Sequence, residues 1–335
     1  MNPTEEKSNG HKILTREFYL GAFLVALLIF LKFTTKGFFA LNNVMSMLNI
    51  FSYTLIASIG MNFIIITSNI DISTGALISV ICITLAAVGK MGLNFWALLL
   101  VSIIAGALLS GINGVFITKL GIPAMVATLA MSQIFQGALP LCVDGSIYDL
   151  PPSFTWLGFQ AKIFGVVPAS VLIMLIITAL ALIFMRYSSF SKKLYAIGNN
   201  AKAARLAGIN VNKTILVTYL IAGTLFGITA TILATASQRV TTTMGSNLEM
   251  TFIAAVVLGG TSTDGGTGKV IGTVIGALIL SMITSATNYL GISSDWSDAI
   301  KGAIIIASVI VSSKSVGQKK RILGTTNVAV QSGGR

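Results

Sequence analysis

Long apolar runs separated by short polar gaps make up most of the chain from Phe18 onward. Uncharged stretches of more than 20 residues include residues 37–70, 91–118 and 163–185. A helix needs about 20 apolar residues to cross the hydrocarbon core of a bilayer, and each of these stretches is long enough. The pattern predicts an all-α polytopic membrane protein with about ten transmembrane helices, some of them broken or re-entrant.

The predicted spans lie where uncharged runs are bounded by charges, Gly or Pro. They cover residues 18–31, 53–67, 72–89, 91–118, 123–143, 163–185, 214–238, 250–260, 270–290 and 299–311. Residues 37–52 are expected to form an interfacial or re-entrant approach to the second span. The eighth run is short for a span, so its helix is expected to be broken or to begin near Gly245.

Three regions follow from this pattern. Residues 1–17 are a polar cytoplasmic tail, residues 18–313 form the transmembrane domain, and residues 314–335 are a basic tail expected to be disordered. The proposed inner segments hold 16 of the 22 Lys and Arg residues, and the proposed outer ones hold 6. Positive charge concentrates on the cytoplasmic side of membrane proteins, so ten spans with both termini inside agree with the charges.

Composition excludes several classes of function. The 335 residues are 54% hydrophobic and only 10% charged, with a mean hydropathy of +0.88, whereas soluble proteins have about 25% charged residues. The net charge of +12 lies in gaps between apolar runs, which indicates lipid and orientation rather than nucleic acid. Cys82 and Cys142 lack CxxC spacing, and the single histidine, His11, is in the polar tail. No metal site and no catalytic residues are therefore predicted.

The segment 186–213 carries six Lys or Arg residues and no acid, which places it on the cytoplasmic side. Within it, residues 200–207 read NAKAARLA, a run of good helix formers with Gly198 before it and Gly208 after it as helix stops. A two-turn helix here could present Ala203 and Ala204 as a small knob for a cytoplasmic partner. The alternative is an ordinary solvated basic loop.

Asp71 is the only acidic residue between the second and third spans. The simplest interpretation is that it caps the third helix. A contact to a partner subunit or a gate is the functional alternative. A proton-relay carboxylate is a further alternative for an acid inside a membrane, although the sequence indicates no second buried carboxylate or histidine as its relay partner.

The glycine-rich run over residues 258–277 resembles nucleotide-binding loops only superficially. The Walker and Rossmann glycine spacings both fail here. Gly268, Gly272 and Gly276 recur every four residues, as expected for one face of the ninth span, and predict close helix packing; a glycine-lined conduit is the alternative. Residues 259–262, Gly-Gly-Thr-Ser, are expected at the cytoplasmic end of a broken helix, lining a cavity or buried in protein.

Three stretches together resemble the permease subunits of ribose-type ABC importers. The family motif Gly-Gly-Ile-Asp-Leu-Ser-Val-Gly is matched at residues 68–75 by Ser-Asn-Ile-Asp-Ile-Ser-Thr-Gly, without the two leading glycines. The family's coupling loop is similar to residues 198–209, GNNAKAARLAGI, with Lys202 in place of a glutamate. The late motif Gly-Gly-Thr-Ser…Gly-Gly-x-Gly…Gly-x-x-x-Gly-Ala is similar to residues 259–277. The resemblance runs from about Phe38 to Val311.

The resemblance implies a transport subunit in a bacterial inner or cytoplasmic membrane. It implies a second permease subunit, a cytoplasmic ABC ATPase that binds ATP and Mg²⁺, and an extracytoplasmic sugar-binding protein, with no cofactor on this chain. The implied ATPase-coupling residues are Asn200, Ala201, Lys202, Ala203, Ala204, Arg205, Leu206 and Gly208. The candidates for translocation or gating are Asn69, Asp71, Ser73, Gly259, Gly260, Thr261 and Ser262.

The solute implied is a monosaccharide such as a pentose, moved inward at the expense of ATP, and the scarcity of charge in the apolar runs agrees with a neutral solute. An ABC permease for a furanosyl signalling molecule of the autoinducer-2 type, or for a nucleoside, is the alternative in the same class. A self-powered secondary carrier is the alternative from another class, and it would need titratable residues inside the membrane. A membrane enzyme would need a nucleophile and base that the sequence does not show.

Overall fold

Helices make up almost all regular structure in the computed structural model, which describes residues 20–33, 35, 37–237, 239–293 and 296–303. Two short antiparallel pairs of strands add to the helices: β1 (Ser146–Ile147) with β4 (Val240–Thr241), and β2 (Lys162–Ile163) with β3 (Val167–Pro168). The helices are α1 Leu20–Phe33, α2 Leu41–Ile66, α3 Thr74–Gly89, α4 Phe95–Lys119, α5 Ala124–Cys142, α6 Pro152–Thr155, α7 Ala169–Tyr187, α8 Ser189–Asn199, α9 Ala201–Leu206, α10 Val211–Thr235, α11 Leu248–Leu258, α12 Val270–Tyr289 and α13 over residues 296–303. One π-helical turn covers Trp156–Gln160.

Six of the described helices, α2, α4, α5, α7, α10 and α12, are long and apolar enough to cross a membrane. The helices α1, α3 and α11 are apolar but shorter. This confirms the all-α membrane fold, while the count of ten spans stays a prediction. The two predicted tails and most of the last predicted span lie outside the described residues.

The expected re-entrant approach over residues 37–52 is wrong, because α2 is one continuous helix of 26 residues from Leu41 to Ile66. The interruption was expected because the uncharged run over residues 37–70 is longer than one span needs, but a single long helix takes up most of it. Two serines in this helix also bond within it. Ser46 and Ser52 donate to the carbonyl oxygens four residues earlier, at 3.1 and 2.7 Å. Such bonds give each hydroxyl an acceptor on the backbone of its own helix, so the helix can continue.

The sixth predicted span starts six residues too early. Residues 162–168 form the β2–β3 hairpin, and α7 begins only at Ala169. Phe164 and Gly165 turn the chain there with φ of +51° and +73°. A left-handed pair of this kind suits a tight hairpin and cannot continue a helix.

The core is built around α2 and α10, which pack along each other, and α10 also packs along α4. The crossing of α10 with α4 depends on small residues. A side chain at Gly106, Gly223 or Gly227 would overlap the backbone of the facing helix. Small residues let helices approach closely where lipid offers no hydrophobic driving force.

The connections gather at two ends of the helices. At one end, called the outer end after the predicted topology, β1 pairs with β4, and Phe154 packs against Gly89 at the end of α3. At the opposite end, called the inner end, residues 66–69, 195–199 and 264–268 contact one another.

Candidate functional site

Three segments that are distant in sequence meet at the inner end. They are the end of α2, the end of α8 and the loop between α11 and α12. The Ser68 hydroxyl donates to the Gly198 carbonyl oxygen at 3.2 Å and also to that of Asp264. The Gly266 amide donates to the Ile66 carbonyl oxygen at 2.9 Å. These bonds bring the three stretches that carry the family resemblance into one cluster, here called the inner cluster.

The end of α8 is held to this cluster by side chains as well. The Tyr195 hydroxyl donates to the Gly268 carbonyl oxygen at 2.8 Å, and burial raises the pKa of that hydroxyl above its usual value. The Asn199 amide donates to the Gly266 carbonyl oxygen at 3.3 Å. The residues directly before the predicted docking helix are therefore bonded to the loop between α11 and α12.

Gly198 has a different role from the expected helix stop. It lies inside α8, which ends at Asn199. A Cβ at Gly198 would overlap the Ile66 carbonyl oxygen and the Gly266 backbone. Glycine is needed at position 198 because two backbones approach closely there. The helix ends at Asn199, and Asn200 follows it in extended conformation.

The helix α9 covers six residues, Ala201–Leu206, and begins with a side-chain cap. The Asn200 side-chain oxygen accepts the Ala203 amide proton at 3.0 Å, a bond that suits an N-cap asparagine. Gly208, with φ of +82°, ends the segment. The helix is shorter than predicted from residues 200–207, but its position agrees.

The expectation that Ala203 and Ala204 together form an outward knob is wrong. Ala204 is buried against Ile197 and Val211, whereas Ala203 is exposed. The outward apolar residue is Leu206, which is 92% exposed. Successive helical residues point about 100° apart, and the packing of α9 against α8 and α10 buries the side that carries Ala204.

The remaining residues matched to the coupling loop lie at the surface. Lys202 and Arg205 are exposed, and a terminal nitrogen of Arg205 lies 3.5 Å from the Asn212 side-chain oxygen. Ala201 and Gly208 are exposed as well. The outward face of α9 therefore combines one large apolar side chain with two cations.

The glycines after Leu258 hold α11 against α12. Side chains at Gly272 and Gly276 would overlap the backbone of Gly259 and Ala255 respectively. Gly268 lies outside the helix, because α12 begins at Val270, so its predicted place on the same helical face is wrong. Gly268 packs instead against Thr261, in the turn that precedes α12.

The Gly-Gly-Thr-Ser stretch closes the end of α11. The Thr261 hydroxyl is buried and donates to the Asn62 side-chain oxygen of α2 at 2.6 Å. Within the turn, the Ser262 amide donates a hydrogen bond to the Thr267 carbonyl oxygen at 3.1 Å. Gly259 and Gly260 are half-buried beside them. These residues join α2 to the α11–α12 turn.

Asp71 is fully buried in the turn between α2 and α3. One carboxylate oxygen accepts the Ser73 amide at 2.9 Å and the Ser73 hydroxyl at 2.6 Å. The Asn113 side-chain amide donates to Ser73 Oγ at 2.7 Å and reaches the other Asp71 oxygen at 3.4 Å. The residue at the helix N-cap position is Ser73, and Asp71 supports it from two residues earlier.

Asn69, by contrast, makes only local bonds. Its amide donates to the Thr67 carbonyl and hydroxyl oxygens at 3.1 and 2.9 Å. It belongs to the turn that leads from the inner cluster to Asp71. Along the chain, Asn69 therefore follows Ser68 of the inner cluster and precedes Asp71 and Ser73 of the next turn.

Two residues of this region were not recognised in the sequence. Asn113 comes from α4, and Glu249 at the start of α11 approaches Gly75 at the start of α3. Glu249 is the half-buried second carboxylate that the sequence did not indicate. Its position directly before an apolar run that is too short for a span was the available signal. Asn113 had no comparable signal, because its role depends on how α4 packs.

Within the described residues, no group of three His, Cys, Asp or Glu side chains could hold a metal ion. The features present are a basic outward segment, a cluster that links it to three membrane helices, and buried polar turns. The exposed basic segment is therefore bonded, through the inner cluster, to elements of the helical core.

Known proteins are similar to this chain over most of its length. A family model described as "Branched-chain amino acid transport system / permease component" matches residues 43–309. The ribose import permease protein RbsC of Escherichia coli is 32% identical over 320 residues, covering 93% of this chain and 99% of that protein.

Two further relatives have similar coverage. The ribose import permease protein RbsC of Bacillus subtilis is 32% identical over 88% of this chain and 92% of its own length. The autoinducer 2 import system permease protein LsrC of Photorhabdus luminescens is 29% identical over 88% of this chain and 89% of its own length. No solved structure matches the chain.

Proposed function

The chain belongs to this family of permease components and is a membrane subunit of an ABC importer rather than its ATPase; from this we propose that its solute is a monosaccharide such as a pentose. The supporting observation is nearly full-length similarity to two ribose import permeases. The scarcity of charge in the helices agrees with a neutral solute. Family membership removes the reason for considering a self-powered carrier.

A signalling molecule of the autoinducer-2 type is the second candidate solute. It is favoured by the 29% identity to the autoinducer 2 permease over 88% of this chain. Both candidates are small, neutral and rich in hydroxyl groups, so the same polar contacts would serve either. A direct comparison of uptake separates them.

The partners follow from the family. A cytoplasmic ATPase, which binds ATP and Mg²⁺, docks on the outward face of α9, while a second permease subunit and an extracytoplasmic binding protein complete the importer. The exposed Leu206 and the neighbouring cations support this docking surface. Because the inner cluster bonds α8 to α2 and to the α11–α12 loop, movement of the docked ATPase would reach three membrane elements at once.

The chain crosses a bacterial inner membrane ten times, with α9 inside and the β1–β4 end outside. The sorting of connections to two ends supports this topology, as does the excess of Lys and Arg in the proposed inner segments. The short helices α3 and α11 would cross together with the polar turns that precede them, since irregular backbone is tolerated where protein or water surrounds it.

Reconstitution tests the proposal. Proteoliposomes that contain the permease, its ATPase and its binding protein should accumulate labelled ribose only with ATP, and the permease alone should accumulate none. Higher uptake of autoinducer 2 than of ribose at equal concentration would favour the second candidate. Uptake of neither solute by an assembled complex that hydrolyses ATP would reject both.

A further inference from the structure

The helix α7 has an exposed surface that matches lipid. Only 17% of its most apolar window is buried within the chain. The exposed side chains between Ala169 and Met185 are all aliphatic, namely Leu172, Leu175, Ile176, Ala179, Leu180, Leu182 and Ile183. Lipid tails are as apolar as these side chains, so this surface suits the hydrocarbon of the bilayer.

This aliphatic surface ends in a cation and an aromatic ring at the inner end of α7. Arg186 and Tyr187 are exposed, and they follow Ile183 by one helical turn on the same face. The 19 residues of α7 span about 28 Å, close to the ~30 Å of the hydrocarbon core. Arg186 therefore lies where lipid tails give way to headgroups. A tyrosine at that depth is typical of the membrane interface.

The helix α8 starts where α7 ends and is fixed to it. Ser188 is the only residue between the two helices. The Ser191 hydroxyl of α8 donates to the Met185 carbonyl oxygen of α7 at 2.9 Å. The rings of Phe190 and Phe184 pack across the same joint, with centroids 5.9 Å apart. The first turn of α8 is therefore held at the inner end of α7.

Two lysines of α8 add to the charge of Arg186. Lys192 and Lys193 are exposed, whereas Leu194 and Ile197 of the same helix are buried. Both lysines lie within about 6 Å of the first residue of α8, measured along the helix axis. Three cations are thus grouped beside the aliphatic surface of α7. This group is here called the α7–α8 basic patch.

No acidic side chain balances the α7–α8 basic patch within the part of the chain that the structure describes. None of its three cations forms an ion pair there. The sequence has no acid between Asp149 and Glu249. Asp264 lies at the far end of α8, because the Ser68 hydroxyl donates to the carbonyl oxygens of both Gly198 and Asp264. The charge of the patch is therefore available to an anion from outside the chain.

A lipid headgroup fits this patch better than the ATPase does. A lipid whose tails lie against Leu180 and Ile183 carries its phosphate at the level of Arg186. The docking helix α9 follows only after α8, whose 11 residues span about 16 Å. Cations at the inner membrane surface attract anionic lipids, and their hydrogen bonds to phosphate are stronger than neutral ones.

We propose that the α7–α8 basic patch binds the headgroup of an anionic phospholipid of the inner leaflet, whose tails lie along the aliphatic surface of α7. Arg186 offers the planar fork that suits a phosphate, while Lys192 and Lys193 add compact charges. The Arg186 guanidinium already lies over the Tyr187 ring, 5.3 Å from its centroid. The bound lipid holds α8, and with it the start of α9, at the membrane surface.

Lipid binding by the purified full-length permease tests this site. Native mass spectrometry gives the apparent Kd for phosphatidylglycerol, which is anionic, and for phosphatidylcholine, which is zwitterionic. The wild type should bind phosphatidylglycerol at least about tenfold more tightly. Arg186→Gln/Lys192→Gln should raise the Kd for phosphatidylglycerol about twentyfold, because each basic residue near an anionic surface is worth roughly a factor of five. The Kd for phosphatidylcholine should not change.

A matched pair of variants separates this patch from general surface charge. Lys202→Gln/Arg205→Gln removes the same two residue types from the outward face of α9. It should leave the Kd for phosphatidylglycerol within about twofold and lower co-purification of the ATPase, whereas Arg186→Gln/Lys192→Gln should do the reverse. Arg186→Lys/Lys192→Arg keeps both charges and should recover most of the affinity for phosphatidylglycerol.

Four results would overturn the proposal. Equal wild-type affinity for the two lipids would remove the need for an anionic headgroup, and an equal loss with both pairs of variants would show a general charge effect. Equally strong competition by inorganic phosphate would indicate a site for a free anion. Loss of the ATPase without loss of lipid in Arg186→Gln/Lys192→Gln would assign the patch to the ATPase. Binding is measured without solute, so failure of the proposed solutes would leave these results unchanged.

Discussion

At the scale of single residues, the turn that starts α3 depends on the buried carboxylate of Asp71. Its oxygens receive the amide and hydroxyl of Ser73, and Asn113 bridges to it from α4. A buried carboxylate is tolerated only when such donors surround it. The residue that looks like a simple helix cap therefore also ties two helices together.

Asp71→Ala should lower stability because it leaves the Ser73 amide without its acceptor and removes a partner of Asn113. Each buried donor left unsatisfied costs about 1–3 kcal/mol. The midpoint of thermal unfolding in detergent should be clearly lower for Asp71→Ala than for wild type. The midpoint of Asp71→Asn, which keeps one acceptor oxygen, should decrease less. Equal midpoints for wild type and Asp71→Ala would show that the turn is held by other contacts.

Leu206 provides the second prediction at this scale. Leu206→Glu should leave insertion normal, because the side chain already lies in solvent, and should reduce co-purification of the ATPase about tenfold, or ~1.4 kcal/mol. Lys202→Ala should be milder, since an exposed ion pair is typically worth ~0–1 kcal/mol. The readout is the ratio of ATPase to permease after affinity purification.

Ala204→Glu serves as the contrast to Leu206→Glu. It would bury a charge against Ile197 and Val211, so it should lower the amount of folded permease itself. Full ATPase recovery with Leu206→Glu would show that α9 does not dock through its outward face. Normal folding of Ala204→Glu would show that the residue is not buried in the working protein.

These residues also show what the sequence could predict at single positions. Asp71 and the α9 segment were recognisable, because an acid between apolar runs and a short helix between polar residues are local patterns. The burial of Ala204 was not, because it depends on contacts with Ile197 and Val211 on neighbouring helices.

At the scale of elements, the pairing of α11 with α12 depends on two glycines that touch backbone. Gly276→Leu should destabilise this pair, because a larger side chain in a tightly packed site costs about 1–3 kcal/mol. The folded yield after size-exclusion chromatography should fall. Gly21→Leu in α1 is the matched control, because a Cβ there meets nothing within 4 Å. Equal yields for both variants would contradict the close contact.

Sequence predicted most elements because the uncharged runs are long and their boundaries are charged. It failed where the length or apolar character of a run did not match one element. The uncharged run over residues 37–70 is longer than one span needs, yet α2 extends through most of it as a single helix of 26 residues. The β2–β3 hairpin was included in a span because its residues are apolar, and only the left-handed backbone at Phe164 and Gly165 separates it.

At the scale of the whole molecule, the topology can be tested with two surface positions. In a Cys142→Ser background, an impermeant thiol reagent added to intact cells should label Asp144→Cys and spare Lys202→Cys. In inside-out vesicles the pattern should reverse. Both positions are exposed, so the difference reports the side of the membrane alone. Labelling of Lys202→Cys from outside would invert the proposed topology.

The inner cluster shows what the sequence leaves out at this scale. Its three segments were each identified by their resemblance to one family, but no spacing rule indicated that residues 68, 198 and 264 would meet. Their contact depends on the lengths and tilts of α2, α8 and α11 together. Long-range bonds of this kind are decided by packing, which local patterns do not encode.

The short length of α11 has a further consequence for how the protein is made. A translocon receives apolar segments in order as they leave the ribosome, and eleven helical residues span only about 16 Å, roughly half of the hydrocarbon core. Glu249 at its start makes partition into lipid less favourable still. The helix α11 must therefore enter the bilayer beside α12, as a hairpin joined through Gly272 and Gly276. A nascent chain that stalls before Val270 would keep a non-integrated end, open to quality-control proteases.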